Sequence, residues 1–398
     1  MKGFNNAEIY VDGVGIINTS ITFFEGRIHS VGHPCDEPIP LPKGAIVVPG
    51  FIDQHVHGAG GADAMDGDDD ALKKMSQTLL KEGTTAFLPT TMTQTKERII
   101  KALTCVNRLI GRRFDLGATI LGAHLEGPFI SPAFAGAQPR DCISPPNEIL
   151  FEEFYKASGG NIKIVTLAPE REGAKDLIKR ALQLGVRVSV GHTAAKYRKA
   201  EEAFSLGATS VTHTFNAQTG LHHRDVGTVG AAMLFDGAYT ELIADKIHLS
   251  PEAIKLLLKN KPKDKIILIT DSLRNKHLPD GLSELGGQSV TVRNGEARLA
   301  DGTLAGSVLK MNEAVRNMID LGVSFTDAVD FATKNPSTHL GIFDDYGSIK
   351  PGKRADITVL SPSGEVLMTL VAGRPLYTAL YSAKTRHHHQ KNHPLTAL

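Results

Sequence analysis

With 398 residues, 41% of them hydrophobic, the chain has enough material for one large domain with a packed core and a smaller accessory one. Its 44 basic and 43 acidic residues leave a formal net charge of +1, so no bulk field draws it to nucleic acid or anionic lipid, and a small molecule is the expected partner. No apolar run of about 18 residues is present to span a membrane, and the first residues lack a charged head and apolar stretch, so a cytoplasmic protein is expected.

The first 45 residues alternate short apolar runs with turn signals (AEIYVDGVGI, TSITFFEGRIHSVG), the pattern of small antiparallel strands. After Lys350-Pro-Gly the pattern returns in RADITVLSPSGEVLMTLVAGRPLY. Neither end has enough strands for a stable sheet, so residues 1–48 and 350–385 are expected to pair into one small β domain. Residues 49–349 should form the catalytic body. There, eight β-branched runs alternate with helical stretches: Ala45 to Asp53, Thr84 to Thr90, Ala118 to Glu126, Ile162 to Glu170, Val186 to Thr193, Thr209 to Phe215, Tyr239 to Asp245 and Lys265 to Ser272. Intervening stretches such as GAKDLIKRALQLG and AAKYRKAEEAFSLG carry apolar residues at helical spacing and close on a glycine. Eight βα units fit a closed parallel barrel with its reacting groups where the strands end. An open doubly wound sheet is the alternative, but no G-x-G-x-x-G follows the first strand. The segment Gly281 to Ala305 reads as a hairpin-like insertion able to roof the site, and residues 386–398 as a disordered, His-rich tail without assigned function.

The first run ends in Asp53-Gln-His55-Val-His57. Residues two apart on a strand point the same way, so both imidazoles can reach one point at the barrel mouth. An H-x-H on a solvated strand end is common, and its companions decide. Glu126 ends the third run, where a buried carboxylate needs a cation beside it. His192 closes the fifth run, His213 the sixth and Asp271 the eighth. Cys35, Cys105 and Cys142 are widely spaced with no C-x-x-C pair, so a metal would be held by nitrogen and oxygen, which suits Zn, Fe, Mn or Co without choosing among them. Such a metal lowers the pKa of a bound water toward about 7 and polarises the carbonyl under attack. Asp271 could take the water's proton and deliver it to a leaving amine; the other reading makes it a ligand only. Asn216 and Ala217, on the loop after the sixth run, and Lys246 and His248, past the seventh, are candidate substrate contacts. Arg224 could bind a phosphate bidentately, although a lone loop arginine is more often simply solvated.

The strings PGFIDQHVHG, HLEGPF, SVGHT, THTFNA, IADKIH, ITDS and LAGS, in this order over nearly the whole chain, resemble the N-acetylglucosamine-6-phosphate deacetylases of the amidohydrolase superfamily. HLEGPF followed by THTFNA is the specific part; H-x-H is common to the superfamily. The resemblance implies an α/β protein: a (β/α)8 TIM-like barrel with a small β-sandwich domain built from both chain termini. It implies deacetylation of the phosphorylated amino sugar to glucosamine 6-phosphate and acetate, with one or two divalent metals per subunit. By motif, Glu126, His192 and His213 would be the principal ligands and Asp271 the acid/base. With His55 and His57 retained, the chain looks like the two-metal type, with Glu126 bridging. The implied substrate contacts are Asn216, Ala217, the loop Asp245-Lys246-Ile247-His248, and Leu304, Ala305 and Gly306. Arg224 would reach a neighbouring subunit's phosphate site, which implies a homodimer. One departure stands out: where some members have a carbonyl-polarising histidine after the third strand, this chain reads Ala135-Gly-Ala137-Gln138-Pro. Polarisation would then fall to the second metal, with Ala137 contacting substrate through its backbone.

Two rival readings remain. A cyclic-amide hydrolase of the dihydroorotase kind usually bridges its metals with a modified lysine ending the fourth strand; here that run ends Leu-Ala-Pro-Glu170. A catalytically silent sugar-phosphate sensor would need neither Asp271 nor an activated water.

Overall fold

The computed structural model describes residues 1–110 and 117–379, so the His-rich tail lies outside the described residues. The two chain ends do join. Lys2–Val11, Gly15–Phe24, Arg27–Val31, Glu37–Pro38 and Ile46–Pro49 share one eight-stranded sheet with Ile357–Leu360, Val366–Val371 and Arg374–Thr378. Its apolar cluster draws Phe4, Ile9, Ile21, Val47, Ile357 and Leu370 from strands of both ends, which is why neither end needs a core of its own.

The first run of the sequence is therefore two strands, a correction to the single strand expected from Ala45 to Asp53. Ile46–Pro49 belongs to the small sheet, antiparallel to Ile357–Leu360, and Phe51–Val56 opens the barrel beside Thr84–Thr91. Gly50 is the hinge between them. A Cβ there would lie 2.2 Å from the Thr85 hydroxyl oxygen, so only glycine lets the chain cross from one sheet to the other at this closeness.

From Phe51–Val56 the barrel runs in parallel through Thr84–Thr91, Ala123–Glu126, Ile162–Leu167, Arg187–Val190, Ser210–Val211, Tyr239–Ile243 and Ile266–Ile269. It closes where Val56 bridges Ser272 and the Asp271 N–H donates to the His55 carbonyl at 2.9 Å. Several staves are shorter than their apolar runs, and left-handed backbone is the reason: His192 (φ 47), His213 (φ 29), Phe215 (φ 81) and Asp271 (φ 48) leave the extended conformation just past the last paired residue. For side chains with a Cβ this is strained geometry, which persists only where surrounding structure enforces it. Here it turns three functional side chains over the barrel mouth.

The helices fall where apolar spacing places them. Ala174–Gln183 buries Ala174, Leu177, Ile178 and Ala181; Tyr197–Leu206 buries Ala200, Ala203 and Phe204 and ends on Gly207 at φ 110. On the opposite side Met311–Asp320 and Phe325–Ala332 pack on Ile266–Ile269 in one fully apolar cluster. Each large aliphatic chain so buried contributes about 1.5–3 kcal/mol. The insertion after the eighth strand is a three-stranded antiparallel sheet, Gly281–Leu285, Gln288–Arg293 and Glu296–Arg298. It is tied to the barrel mouth by Gln94, whose amide donates to the Gly286 carbonyl, and by Gln288, whose amide donates to the Ala137 carbonyl.

Beneath the mouth the seam between the first and eighth strands carries a buried ion network. Lys276 Nζ donates to Glu82 Oε1 at 2.7 Å and lies 3.2 Å from Thr270 Oγ1, which donates to Asp53 Oδ2 at 2.5 Å. Asp53 also accepts from the backbone N–H groups of His55 and Thr270. Lys276, Glu82 and Asp53 are fully buried, so the residues flanking His55 and Asp271 are held by charge as well as by the sheet.

Candidate metal centre

Glu126, at the end of the third stave, is the hub. Its Oε1 lies 3.1 Å from His213 Nε2, 3.3 Å from His192 Nε2 and 3.4 Å from His55 Nε2; its Oε2 lies 3.3 Å from His57 Nε2. Asp271 Oδ1 faces the same point, 3.1 Å from His57 Nε2 and 3.4 Å from His55 Nε2. Besides a group of His55, His124 and Glu241, two sets of donor atoms face this point, each with its members within 4.8 Å of one another: His55, His57 and Asp271 in one, Glu126, His192 and His213 in the other. The Glu126 carboxylate stands between them. All six residues proposed from the sequence thus converge, although they come from five staves.

Each imidazole is aimed by its second nitrogen. The Nδ1 of His57 meets the Thr90 carbonyl, that of His192 the Phe134 carbonyl and that of His213 the Asn216 carbonyl. These contacts put the proton on Nδ1 and leave Nε2 for the centre. Electrostatics point the same way. Burial disfavours charge on His57, yet Asp271 and Glu126 push its pKa up to about 10, and Glu126, Asp271 and Glu241 hold His55 well above its ordinary value. Burial would raise both carboxylic acids, but His55 and His57 bring Asp271 down to about 2, and His55, His192 and His213 hold Glu126 well below the usual range. The carboxylates that favour protons on these buried imidazoles would equally favour a divalent cation in the protons' place. His55 Nε2, buried and without a hydrogen-bond partner, is the atom such a cation would satisfy. The residues present fit a metal of the N/O-liganded class.

Above the centre opens a cleft of about 200 Å³. Ala137, Asn216, Ala217, His248, Leu304 and Gly306 line it, as do His57, Glu126, His192, His213 and Asp271. Ala305 is fully buried behind the wall. Asp245 acts through its neighbour: Oδ1 caps the Ile247 and His248 N–H groups and Oδ2 meets His248 Nδ1 at 2.6 Å. Burial opposes the His248 charge, but Asp245 and Asp271 raise its pKa, so its Nε2 can present an N–H to a ligand. Ile247, like Asp245 and Ala305, is not part of the lining, and two further residues are engaged away from it. Lys246 Nζ pairs with Asp320 at 3.2 Å, and Arg224 is exposed with Nη1 2.8 Å from His223 Nε2. Among the described residues that line the cleft there is no lysine or arginine.

Sequence reasoning missed several participants. Gln138 Nε2 donates to Glu126 Oε2 at 2.7 Å while its Oε1 accepts from the Thr93 N–H, so the amide is locked against the hub. Glu241 accepts from His55 Nδ1 at 3.0 Å. Gln138 itself, with Met92, Gly136, Leu285 and Thr303, completes the lining. A signal for Glu241 was available: a carboxylate inside the apolar stave YTELI needs a partner in a buried barrel. Gln138 gave none. Glu170, which ends the fourth run, is engaged elsewhere, bonded to the Thr193 hydroxyl and the Ala194 N–H.

A model of the Amidohydrolase family matches residues 46–376. The chain is 45% identical to the N-acetylglucosamine-6-phosphate deacetylase of Bacillus subtilis (strain 168), over 90% of this chain and 92% of that protein. It is 38% identical to the N-acetylgalactosamine-6-phosphate deacetylase of Escherichia coli O157:H7, over 85% and 90% respectively. A mutant N-acetyl-D-glucosamine-6-phosphate deacetylase of Mycobacterium smegmatis, solved in complex with N-acetyl-D-glucosamine-6-phosphate, superposes with a TM-score of 0.89 at 28% identity, covering 95% of this chain and all of that one.

Proposed function

Because the chain belongs to the amidohydrolase family, we propose that it is a metal-dependent hydrolase that removes the acetyl group of N-acetylglucosamine 6-phosphate, giving glucosamine 6-phosphate and acetate. The observation that carries this reading is the convergence of Glu126, His192, His213, His55, His57 and Asp271 at the floor of one cleft. We assign both donor sets as ligands with Glu126 shared, for up to two divalent ions of the Zn, Fe, Mn or Co class.

The ions would supply an activated water and polarise the acetyl carbonyl. The protein's own part begins with Asp271. Ionised and 3.1 Å from His57, it is placed to accept the water's proton and to pass it to the departing amine nitrogen. His248, aligned by Asp245, and the left-handed turn at Ala217 (φ 49) face the sugar from the cleft wall. Leu304 and Gly306 close the other side under the inserted sheet. The proton shuttle distinguishes an enzyme from a sensor, and the end of the fourth run, where a bridging lysine would stand, holds Glu170 bonded to Thr193 and Ala194, which disfavours a lysine-bridged cyclic-amide hydrolase.

Since no lysine or arginine is among the described residues that line the cleft, we assign the phosphate to Arg224 of a second copy of this chain, which makes the working unit a homodimer. We retain residues 1–48 with 350–385 as the small domain, of which 380–385 lie outside the described residues, and 49–349 as the barrel domain. Acetate release from N-acetylglucosamine 6-phosphate by metal-replete protein tests the reading, with the galactosamine isomer and the unphosphorylated sugar alongside. Turnover of the glucosamine substrate with a large loss on removing phosphate is expected. Preference for the galacto isomer would move the substrate assignment, and tight binding without acetate release would favour the sensor.

A further inference from the structure

The barrel interior below the metal centre holds a hydrogen-bond chain whose direction is fixed at one end. Glu241, in the seventh stave, is fully buried, and a carboxylate there can only accept. Its Oε2 accepts from His55 Nδ1 at 3.0 Å and from the His213 backbone N–H at 3.2 Å; its Oε1 accepts from Gln54 Nε2 at 2.8 Å. Gln54 must therefore turn its Oε1 to His339, whose Nδ1 lies 3.0 Å away and has to be the protonated nitrogen. The remaining His339 Nε2 accepts from the Thr209 hydroxyl at 3.1 Å. The chain thus runs in a single sense, from the Thr209 hydroxyl through His339 and Gln54 to Glu241.

We propose that Glu241 is a positioning residue of the metal centre. It holds His55 in the tautomer whose bare Nε2 faces the cation, and Gln54 and His339 in turn align Glu241. Three observations support this. Among the four imidazoles, His55 Nε2 is the buried nitrogen left without a hydrogen-bond partner, 3.4 Å from both Glu126 and Asp271. The other three imidazoles are oriented by backbone carbonyls, so His55 alone among them depends on a charged side chain. Through the His213 N–H the same carboxylate also touches the second donor set, which couples the two halves of the centre. The proposal rests on the metal-dependent reading.

Glu241→Gln tests it with little change in volume. The amide can keep its oxygen on His55 only if Gln54 flips, and the flip places an amide donor against His339 Nδ1. His339 must then move its proton to Nε2 and donate to Thr209. Metal titration should show one of two equivalents weakened about 10–100-fold, the effect typical of losing a partner behind a metal-ligating histidine, with the other affected less. Turnover should fall while KM stays within about threefold. The 15N signals of His339 should report the tautomer switch, which a merely structural role would not produce. In a His55→Ala background, Glu241→Gln should add no further loss. A variant that keeps both equivalents at wild-type affinity, or a wild-type protein that takes up only one, would overturn the assignment. Wild-type protein that binds two equivalents yet releases no acetate would instead sink the deacetylase reading, and the metal titration would still decide the role of Glu241.

Discussion

Replacing Lys276 by Met keeps the volume and removes one charge from the seam beneath the centre. The ammonium sits 2.7 Å from Glu82 Oε1, where the Coulomb attraction is about 6 kcal/mol at an effective dielectric of 20. Most of that offsets the desolvation of two fully buried ions, so the pair itself contributes little net stability. Removing one partner is a different matter, because Glu82 and Asp53 keep their burial and lose their cation. Such losses cost about 3–5 kcal/mol. The lower end applies here, since His277 Nε2 still meets Glu82 Oε2 at 3.0 Å. With an unfolding entropy of about 2.1 cal/mol/K per residue over a chain of this length, each kcal/mol moves Tm by about 1 °C. The metal-free variant should therefore melt about 3–4 °C lower by calorimetry. Adding Glu82→Gln should recover most of the drop, because no uncompensated carboxylate then remains at the pair. A single variant that melts within 1 °C of wild type, or a double variant worse than the single one, would refute the reasoning.

Asp271→Asn preserves shape but abolishes the proton shuttle, so kcat should fall about 10²–10⁴-fold with substrate affinity retained, as read by steady-state kinetics and calorimetric binding. Metal affinity should rise with pH, by up to about tenfold per unit for each proton expelled, because the metal-free centre holds protons on His55 and on His57, whose pKa is pushed up to about 10; chelator competition at several pH values measures this. For the metal-free protein the sign reverses. A histidine raised above its unfolded value stabilises fully below about pH 6.5 and loses that contribution as pH climbs through about 10, so Tm should decline across that window. Arg224→Ala should raise KM for the phosphorylated sugar at least tenfold and leave the unphosphorylated one unaffected. Mixing it with an inactive Asp271→Asn chain should give hybrid dimers with at most one fully competent site, which subunit-exchange assays can detect.

Much of the centre was legible because strand periodicity and chain order are local properties. His55 and His57 share a face since side chains alternate along a strand, and Glu126, His192, His213 and Asp271 each close an apolar run, so a barrel sends them to one rim. The two-ended small sheet was legible for a similar reason: each terminus carries strand patterns that it cannot satisfy alone. Other features were decided only by the closed tertiary structure. Pro49 and Gly50 divide one apolar run between two sheets, because the barrel wall at Thr85 and the strand at Ile357–Leu360 compete for adjacent residues. Glu241 reaches His55 across 186 positions, Lys276 reaches Glu82 across 194, and Gln138 locks onto Glu126 from a loop without regular pattern. Periodicity says which way a side chain points relative to its own strand. Only the stagger of the staves around a closed barrel determines what it meets there.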